Sequence, residues 1–351
     1  MIHGADPALA ERAIADRDPL PGTRGFAGRL RDGRLVRDVL GRYPLFVERS
    51  GEGWAFSPTD LDEPVSFPAG HVDDERVFSL PDPPVFETER EAVAAVTDAL
   101  EASLALDSTD LVVAFSGGVD SAIVASGTDA PLYVVGFEGS HDLAAARESA
   151  SAMGRPLTEI ECTHADIERA VPVVARATGR TNAMDVGIAL SLFLVAERAR
   201  EDGYGRLAVG QGADELFGGY EKVVRVDHRV TADSVRGATR EVIASLPDQL
   251  ERDILSIRAA GVEPIAPLLD DRVVRAALRL DGPMLATEGE RKRVFRRAAR
   301  EFVPREVAER KKKAVQYGSL IARELDRLAR QAGYKRRMDD HVTQYVESLL
   351  E

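Results

Sequence analysis

The feature that most limits how this chain can fold is a β-branched run, Leu111-Val112-Val113-Ala114-Phe115, that breaks into Ser116-Gly117-Gly118-Val119-Asp120-Ser121 and then into a helical pattern starting near Asp120 or Ser121. An apolar strand feeding a glycine turn and then a helix belongs to a parallel sheet covered on both faces by helices. The glycines let the backbone approach an anion closely. The loop amides point inward, and the helix N-terminus adds partial positive charge. The loop therefore reads as a phosphate cradle, with the Ser116 and Ser121 hydroxyls as further donors. Asp120 suits such a cradle only if a cation stands between its carboxylate and the phosphates, which assigns it to Mg²⁺. No Gly-Lys-Ser/Thr follows, so this is not a Walker loop, and it is not GxGxxG. The plain alternative is an ordinary glycine-containing turn between strand and helix.

A second loop narrows the choice. Gly210-Gln211-Gly212-Ala213-Asp214-Glu215-Leu216-Phe217-Gly218-Gly219-Tyr220 follows the apolar strand Leu207-Ala208-Val209. In an open parallel sheet, ligands collect at the carboxyl ends of the strands. Both loops sit at such ends and can face one pocket, where Asp214 supplies a second carboxylate to the same metal. Acidic residues are also common at a solvated helix start, but the glycines at 210, 212, 218 and 219 weigh against that reading.

The chain divides near residue 85. Residues 1–85 are rich in Gly, Pro, Asp and Arg, with short candidate strands at 24–30, 44–49 and 53–57 separated by turn signals. This reads as a small, mostly antiparallel β unit, and Pro81, Pro83 and Pro84 mark a linker. From 86 to 351 the rhythm alternates: a helix over 87–106, strands at 132–137 and 157–162, and helices over 141–153, 165–177 and 185–200. Beyond about residue 220 the pattern is mainly helical, and there is no internal repeat.

Composition bounds the function classes. No apolar run reaches the about 18 residues of a membrane span, and the N-terminus lacks the basic start and apolar stretch of a signal peptide. The expectation is a soluble cytoplasmic protein. The single cysteine, Cys162, rules out an intrachain disulfide and a thiolate zinc cluster, and its strand-like setting predicts a packed structural thiol. The net charge of −13 argues against nonspecific nucleic-acid binding. Lysine occurs only at 222, 292, 311, 312, 313 and 335, all other bases being arginine. Excess acid with scarce lysine resembles proteins adapted to high salt, and it singles out each lysine that is kept.

With these residues in view, the sequence resembles the asparagine synthetase family, within the ATP pyrophosphatases that carry an SGGxDS loop. Ser116 to Ser121 matches that loop, and Gly210 to Tyr220 is close to the family's GEGADELFGGY. The C-terminal block also matches, with Val262-Glu263-Pro264, Pro267 to Val274, and Arg310-Lys311-Lys312-Lys313. The likeness covers roughly residues 90–330. It implies a doubly wound parallel sheet of the adenine nucleotide alpha hydrolase-like type, with a helical C-terminal part. It also implies a reaction in which a carboxylate, aspartate in the parent family, attacks the α-phosphate of Mg-ATP. Pyrophosphate leaves, and ammonia converts the acyl-adenylate into an amide and AMP.

On this resemblance Asp120 and Asp214 hold Mg²⁺, while Ser116, Gly117, Gly118 and Ser121 cradle pyrophosphate. Val209 and Gly210 line the nucleotide pocket, and Val134, Val135 and Gly136 lie near adenine. Alignment with the family's RxK pattern puts Lys312 on the phosphates, with Lys311 or Lys313 in its place if the register slips; a solvated basic helix end is the alternative for this run. Lys292 falls where the family often has a lysine before a helix.

Two departures matter. Position 2 is Ile2, where the glutamine-dependent enzymes expose a catalytic cysteine after Met removal. Arg37 to Leu45 still looks like the family's RDPLGxRPLY stretch. The N-terminal unit is therefore expected to be a truncated glutaminase-like remnant, with ammonia free or delivered by a separate glutaminase or other ammonia-supplying partner. Second, Gln211 stands where the family usually has Glu. An amide cannot accept a proton or bind ammonium as a carboxylate does, so either another group handles the proton or the acceptor differs. If the family carboxylate is dispensable in this chain, Gln211→Glu changes amide formation little and leaves pyrophosphate release intact. The competing readings are the same adenylation on another carboxylate, a peptide or a tRNA nucleoside, and a non-catalytic nucleotide-binding protein.

Overall fold

The computed structural model describes residues 1–310 and 318–351. At its centre five parallel strands lie in the order Leu157–Glu161, Leu132–Gly136, Leu111–Ala114, Arg206–Ala208 and Glu263–Ile265. The strand that comes first in sequence, Leu111–Ala114, is the middle one. The next two are added on one side of it, and the chain then crosses to the other side for the last two. Strand order thus reverses between Leu111–Ala114 and Arg206–Ala208, and the crevice at such a reversal is where doubly wound sheets bind ligands.

The alternation of side chains along these strands builds two apolar layers. Leu111, Val113, Leu132 and Val134 face one core with the helices Glu89–Ser103, Val119–Ser126 and His141–Ala152. Val112, Tyr133, Val135 and Leu207 face the other, with the helices His164–Thr178, Ala183–Glu201 and Ile321–Gln331. Burial on both faces is why the central strands read as continuous apolar runs. Helix starts are fixed locally. Thr88 and Glu91 form a capping box, as do Thr163 and Asp166, and the Ser140 hydroxyl accepts from the Leu143 amide.

Two elements depart from the sequence reading. Glu263–Ile265 is a three-residue edge strand containing Pro264. A proline is tolerated at an edge, and so short a segment has no visible period. Helix Pro7–Asp16, capped by the Asp6 carboxylate, interrupts the N-terminal β unit. That unit otherwise consists of two antiparallel sheets, one of five strands between Ile2 and Arg76 and one of three between Phe46 and Ser66.

A buried ionic cluster joins the N-terminal unit to the rest. Arg42 Nε donates to Asp38 Oδ1 at 2.8 Å, and its Nη1 donates to Asp271 Oδ1 at 2.7 Å and to the Leu269 carbonyl at 2.8 Å. The second oxygen of Asp271 accepts from the Gly22 and Thr23 amides at 2.9 and 2.7 Å. Burial disfavours the Arg42 cation, but Asp38 and Asp271 outweigh it and hold the group above its ordinary range. The proline-rich linker is strapped down as well. Carbonyls of Pro81, Pro83 and Pro84 accept from Arg240, Arg236 and Arg279.

Removing one partner of a buried ion cluster strands the opposite charges. Arg42→Ala is therefore expected to lower the unfolding free energy by about 3–5 kcal/mol, read from urea denaturation. Cys162 is buried, and burial pushes its thiol up to about 12. The thiol, not the reactive thiolate, dominates at pH below that value. Alkylation by iodoacetamide near pH 8 should be slow in the folded protein and complete after unfolding; equal rates would contradict the packed position.

Candidate active site at the switch point of the sheet

The phosphate-type loop is shaped by contacts that only glycine permits. Gly117 has φ +72°, and a Cβ there would fall 2.4 Å from the Ala145 carbonyl. Its own carbonyl accepts from Ser149 Oγ at 2.8 Å, which pins the loop to helix His141–Ala152. Ser121 Oγ donates to the Gly118 carbonyl at 3.1 Å and lies 3.3 Å from Ser116 Oγ. Among the described residues no side chain caps the helix Val119–Ser126, so its first-turn amides are open to a ligand.

The second loop closes on the first. A Cβ at Gly210 would lie 3.2 Å from Asp120, and one at Gly219 would collide with Asp214 Oδ1 and with Lys292 Cε. That second collision shows what occupies the space between the loops. Lys292 Nζ sits 2.8 Å from both oxygens of Asp120 and 2.7 Å from Asp214 Oδ1. Lys292 adopts φ 58° and precedes helix Arg293–Ala299, directly after the hairpin strand Glu290–Arg291. Its residue is 5% exposed.

Burial pushes the Lys292 ammonium down, but Asp120 and Asp214 prevail and hold it above its ordinary value. Burial raises the Asp120 carboxyl, and the attraction of Lys292 only partly offsets this. Behind Asp214, the buried Glu215 accepts from Tyr220 Oη at 2.5 Å, and burial together with the Asp214 charge lifts its carboxyl to about 7. Arg296 lies one turn beyond Lys292. It donates to the carbonyls of Arg291, Ala308 and Arg310, and burial lowers its pKa within the field of Asp120 and Asp214.

Of the residues singled out in sequence, Ser116, Gly117, Gly118, Asp120, Ser121, Gly210 and Asp214 come together here, and Lys292 joins them. Lys311, Lys312 and Lys313 lie outside the described residues. Val134 is packed in the core, and Gly136 ends its strand against the Ser140 hydroxyl. Val209 and Gln211 line a separate cavity, and Gln211 Nε2 donates to Asp253 Oδ2 at 3.3 Å. Arg296 and Asp253 carried no local signal beyond the helical spacing of Arg296 from Lys292.

The donor set fits Mg²⁺. Asp120 and Asp214 reach a common point already held by a cation. Among the described residues, no group of three His, Cys, Asp or Glu side chains is placed to hold a metal. Two carboxylates with the remaining positions left to phosphate and water is how Mg²⁺ is commonly bound.

Comparison with known proteins agrees with this geometry. The family model described as asparagine synthase matches residues 94–237 and 228–350. The chain is 29% identical over 265 residues to a putative glutamine-hydrolyzing asparagine synthetase of Methanocaldococcus jannaschii, covering 65% of this chain and 49% of that protein. It is 27% identical over 319 residues to asparagine synthetase 1 of Arabidopsis thaliana, covering 79% and 54%. A nodule asparagine synthetase of Pisum sativum is 28% identical over 184 residues, covering 48% and 31%. The chain thus spans about half the length, or less, of these relatives. Since the matched segments contain both loops, Lys292 and the whole parallel sheet, the chain belongs to the asparagine synthase family.

Proposed function

We propose that the chain is an ATP-dependent, AMP-forming amide ligase that activates a small carboxylate, L-aspartate first among candidates, and joins it to ammonia. The observation that carries this reading is the meeting of Asp120, Asp214 and the buried Lys292 between two glycine loops at the sheet's switch point. The acceptor carboxylate oxygen attacks the α-phosphorus of ATP, and the bond to the pyrophosphate oxygen breaks. Ammonia then attacks the acyl carbonyl, loses a proton and displaces AMP.

This chain's residues serve the charge that develops on pyrophosphate. Ser116, Gly117, Gly118 and Ser121 present hydroxyls and amides to it. Asp120 and Asp214 would hold Mg²⁺, which when bound neutralises the polyphosphate and its leaving group. Lys292 supplies a fixed positive charge beside both carboxylates, and by the family pattern Lys312 supplies another. By the family pattern Gly210 lines the nucleotide side of the crevice and Gly136 lies toward adenine, while the Val209 side chain lines the separate cavity and that of Val134 is packed in the core. The nitrogen donor in this reading is ammonia, taken up free or delivered by a partner. The −13 net charge suits a protein that takes small molecules rather than nucleic acid, and the reading places it in the cytoplasm.

The reading is tested by AMP and pyrophosphate release from Mg-ATP with ammonium and a panel of carboxylates. Aspartate-dependent turnover is expected. Turnover only with another carboxylate would move the acceptor, and nucleotide binding without exchange would reduce the protein to a nucleotide-binding one. Asp120→Asn, Asp214→Asn and Lys292→Met should each lower kcat by about 100-fold or more, the scale of losing one charge-stabilising group.

Gln211 sharpens the expectation made for it. Its amide donates to Asp253, which is also held by Arg252 Nε at 2.8 Å. A glutamate at 211 would set a second carboxylate against Asp253. Gln211→Glu should leave pyrophosphate release intact and destabilise the fold by about 1–3 kcal/mol, with Asp253→Asn restoring most of it. A large gain in ammonia use by Gln211→Glu would show instead that the missing carboxylate limits amide formation.

A further inference from the structure

The hairpin that delivers Lys292 has little packing of its own. Its strands, Ala286–Thr287 and Glu290–Arg291, form a separate two-stranded sheet, and residues 287–291 are exposed. A ribbon of that size is not stable alone. Lys292 itself adopts a left-handed φ of 58°, which a lysine keeps only where its surroundings enforce it. Its Nζ nevertheless meets Asp120 and Asp214 within 2.8 Å. One tie is visible on the hairpin side, where Arg291 Nη1 donates to the Gly219 carbonyl at 3.0 Å.

Arg296 supplies the others. Its backbone amide donates to the Lys292 carbonyl at 2.8 Å, and its Nε donates to the Arg291 carbonyl at 3.1 Å. A second nitrogen of the same guanidinium, Nη1, donates to the carbonyls of Ala308 and Arg310 at 2.6 and 3.0 Å. Arg310 Nη1 in turn donates to Glu148 Oε2 at 2.5 Å. Glu148 is the neighbour of Ser149 on helix His141–Ala152, and Ser149 Oγ donates to the Gly117 carbonyl. These contacts close a ring. It runs from the phosphate loop at Gly117 through helix His141–Ala152, Arg310, Arg296 and Lys292, and returns to the same loop at Asp120. Arg296 is the member that joins the two halves. Among the described residues its guanidinium meets only carbonyls, so it spans two backbone segments instead of neutralising an acid.

We propose that Arg296 is a positioning residue that sets the Lys292 ammonium in the phosphate crevice. A guanidinium is required because two nitrogens of one rigid fork serve two segments. A lysine has a single nitrogen on a flexible stem, so it keeps the charge without spanning both. The inference rests on the reading of the crevice as a pyrophosphate seat.

The test is calorimetric titration of the full chain with magnesium pyrophosphate, for the unsubstituted protein, Arg296→Lys and Arg296→Ala, and for each in a Lys292→Met background. Arg296→Lys and Arg296→Ala should each weaken binding about tenfold, the scale of coupling between residues of one network. With Lys292→Met present the same changes should cost less than about twofold, because the group they position is gone. Unfolding midpoints control for folding, and Arg296→Lys carries the comparison if Arg296→Ala does not fold. Equal losses in both backgrounds would show that Arg296 supports the fold at large and would overturn the proposal. Full affinity in Arg296→Lys would overturn it too, since charge alone would then suffice. If the unsubstituted chain does not bind magnesium pyrophosphate, the ligase reading and this inference fall together; if it does, losses that add in the two backgrounds remove the inference alone.

Discussion

The architecture at the sheet's switch point turns on one ammonium. Asp120 and Asp214 arise from different loops on neighbouring strands, and without a cation between them their charges would drive the loops apart. Lys292 Nζ satisfies both within 2.8 Å and is itself almost fully buried. The cost of burying that charge is met only because two carboxylates surround it. Lysine suits the space better than arginine. A compact point charge fits where Gly219 leaves no room for a Cβ, whereas a planar guanidinium demands a broad slot. In a chain whose bases are otherwise nearly all arginine, the lysine at 292 is thus accounted for by shape.

The second ionic hub, Arg42 with Asp38 and Asp271, follows the opposite logic. Its partners lie at fixed angles around a planar fork, and several backbone amides bind the outer oxygens of the aspartates. Arginine is the side chain for that geometry. The hub ties the N-terminal unit to the segment that follows the edge strand Glu263–Ile265. The cavity that Val209 and Gln211 line therefore has walls from both units, held at a fixed spacing. The two hubs divide the labour. Lys292 sets the distance between the phosphate loops, and Arg42 sets the distance between the N-terminal unit and the sheet.

Much of this was legible in the sequence because it is written locally. The glycine loops, the central apolar strands and the capped helices each carry their signal within a dozen residues, and Asp120 and Asp214 stand inside such stretches. What escaped is what only the folded chain brings together. Lys292 lies 172 residues from Asp120, Asp253 lies 42 from Gln211, and Arg42 lies 229 from Asp271. None of these pairs leaves a periodic trace. The edge strand Glu263–Ile265 escaped for another reason: three residues with a central proline match no strand pattern, and only pairing with Arg206–Ala208 defines them.

The substitution at 211 shows how one position can face two environments at once. Gly210 presses on the phosphate loop, while Gln211 turns away from it to meet Asp253 and the inter-unit cavity. A glutamate at that position would need a nearby donor to offset Asp253, and Arg252, the neighbouring cation, is already shared between Asp253 and Asp185. A glutamine needs no such help. Its amide donates to Asp253, and its oxygen is buried without a hydrogen-bond partner among the described residues. The change from the family's usual carboxylate is therefore coupled to the wall behind it, and the chemistry of this loop follows from the aspartate it leans on as much as from the phosphates it faces.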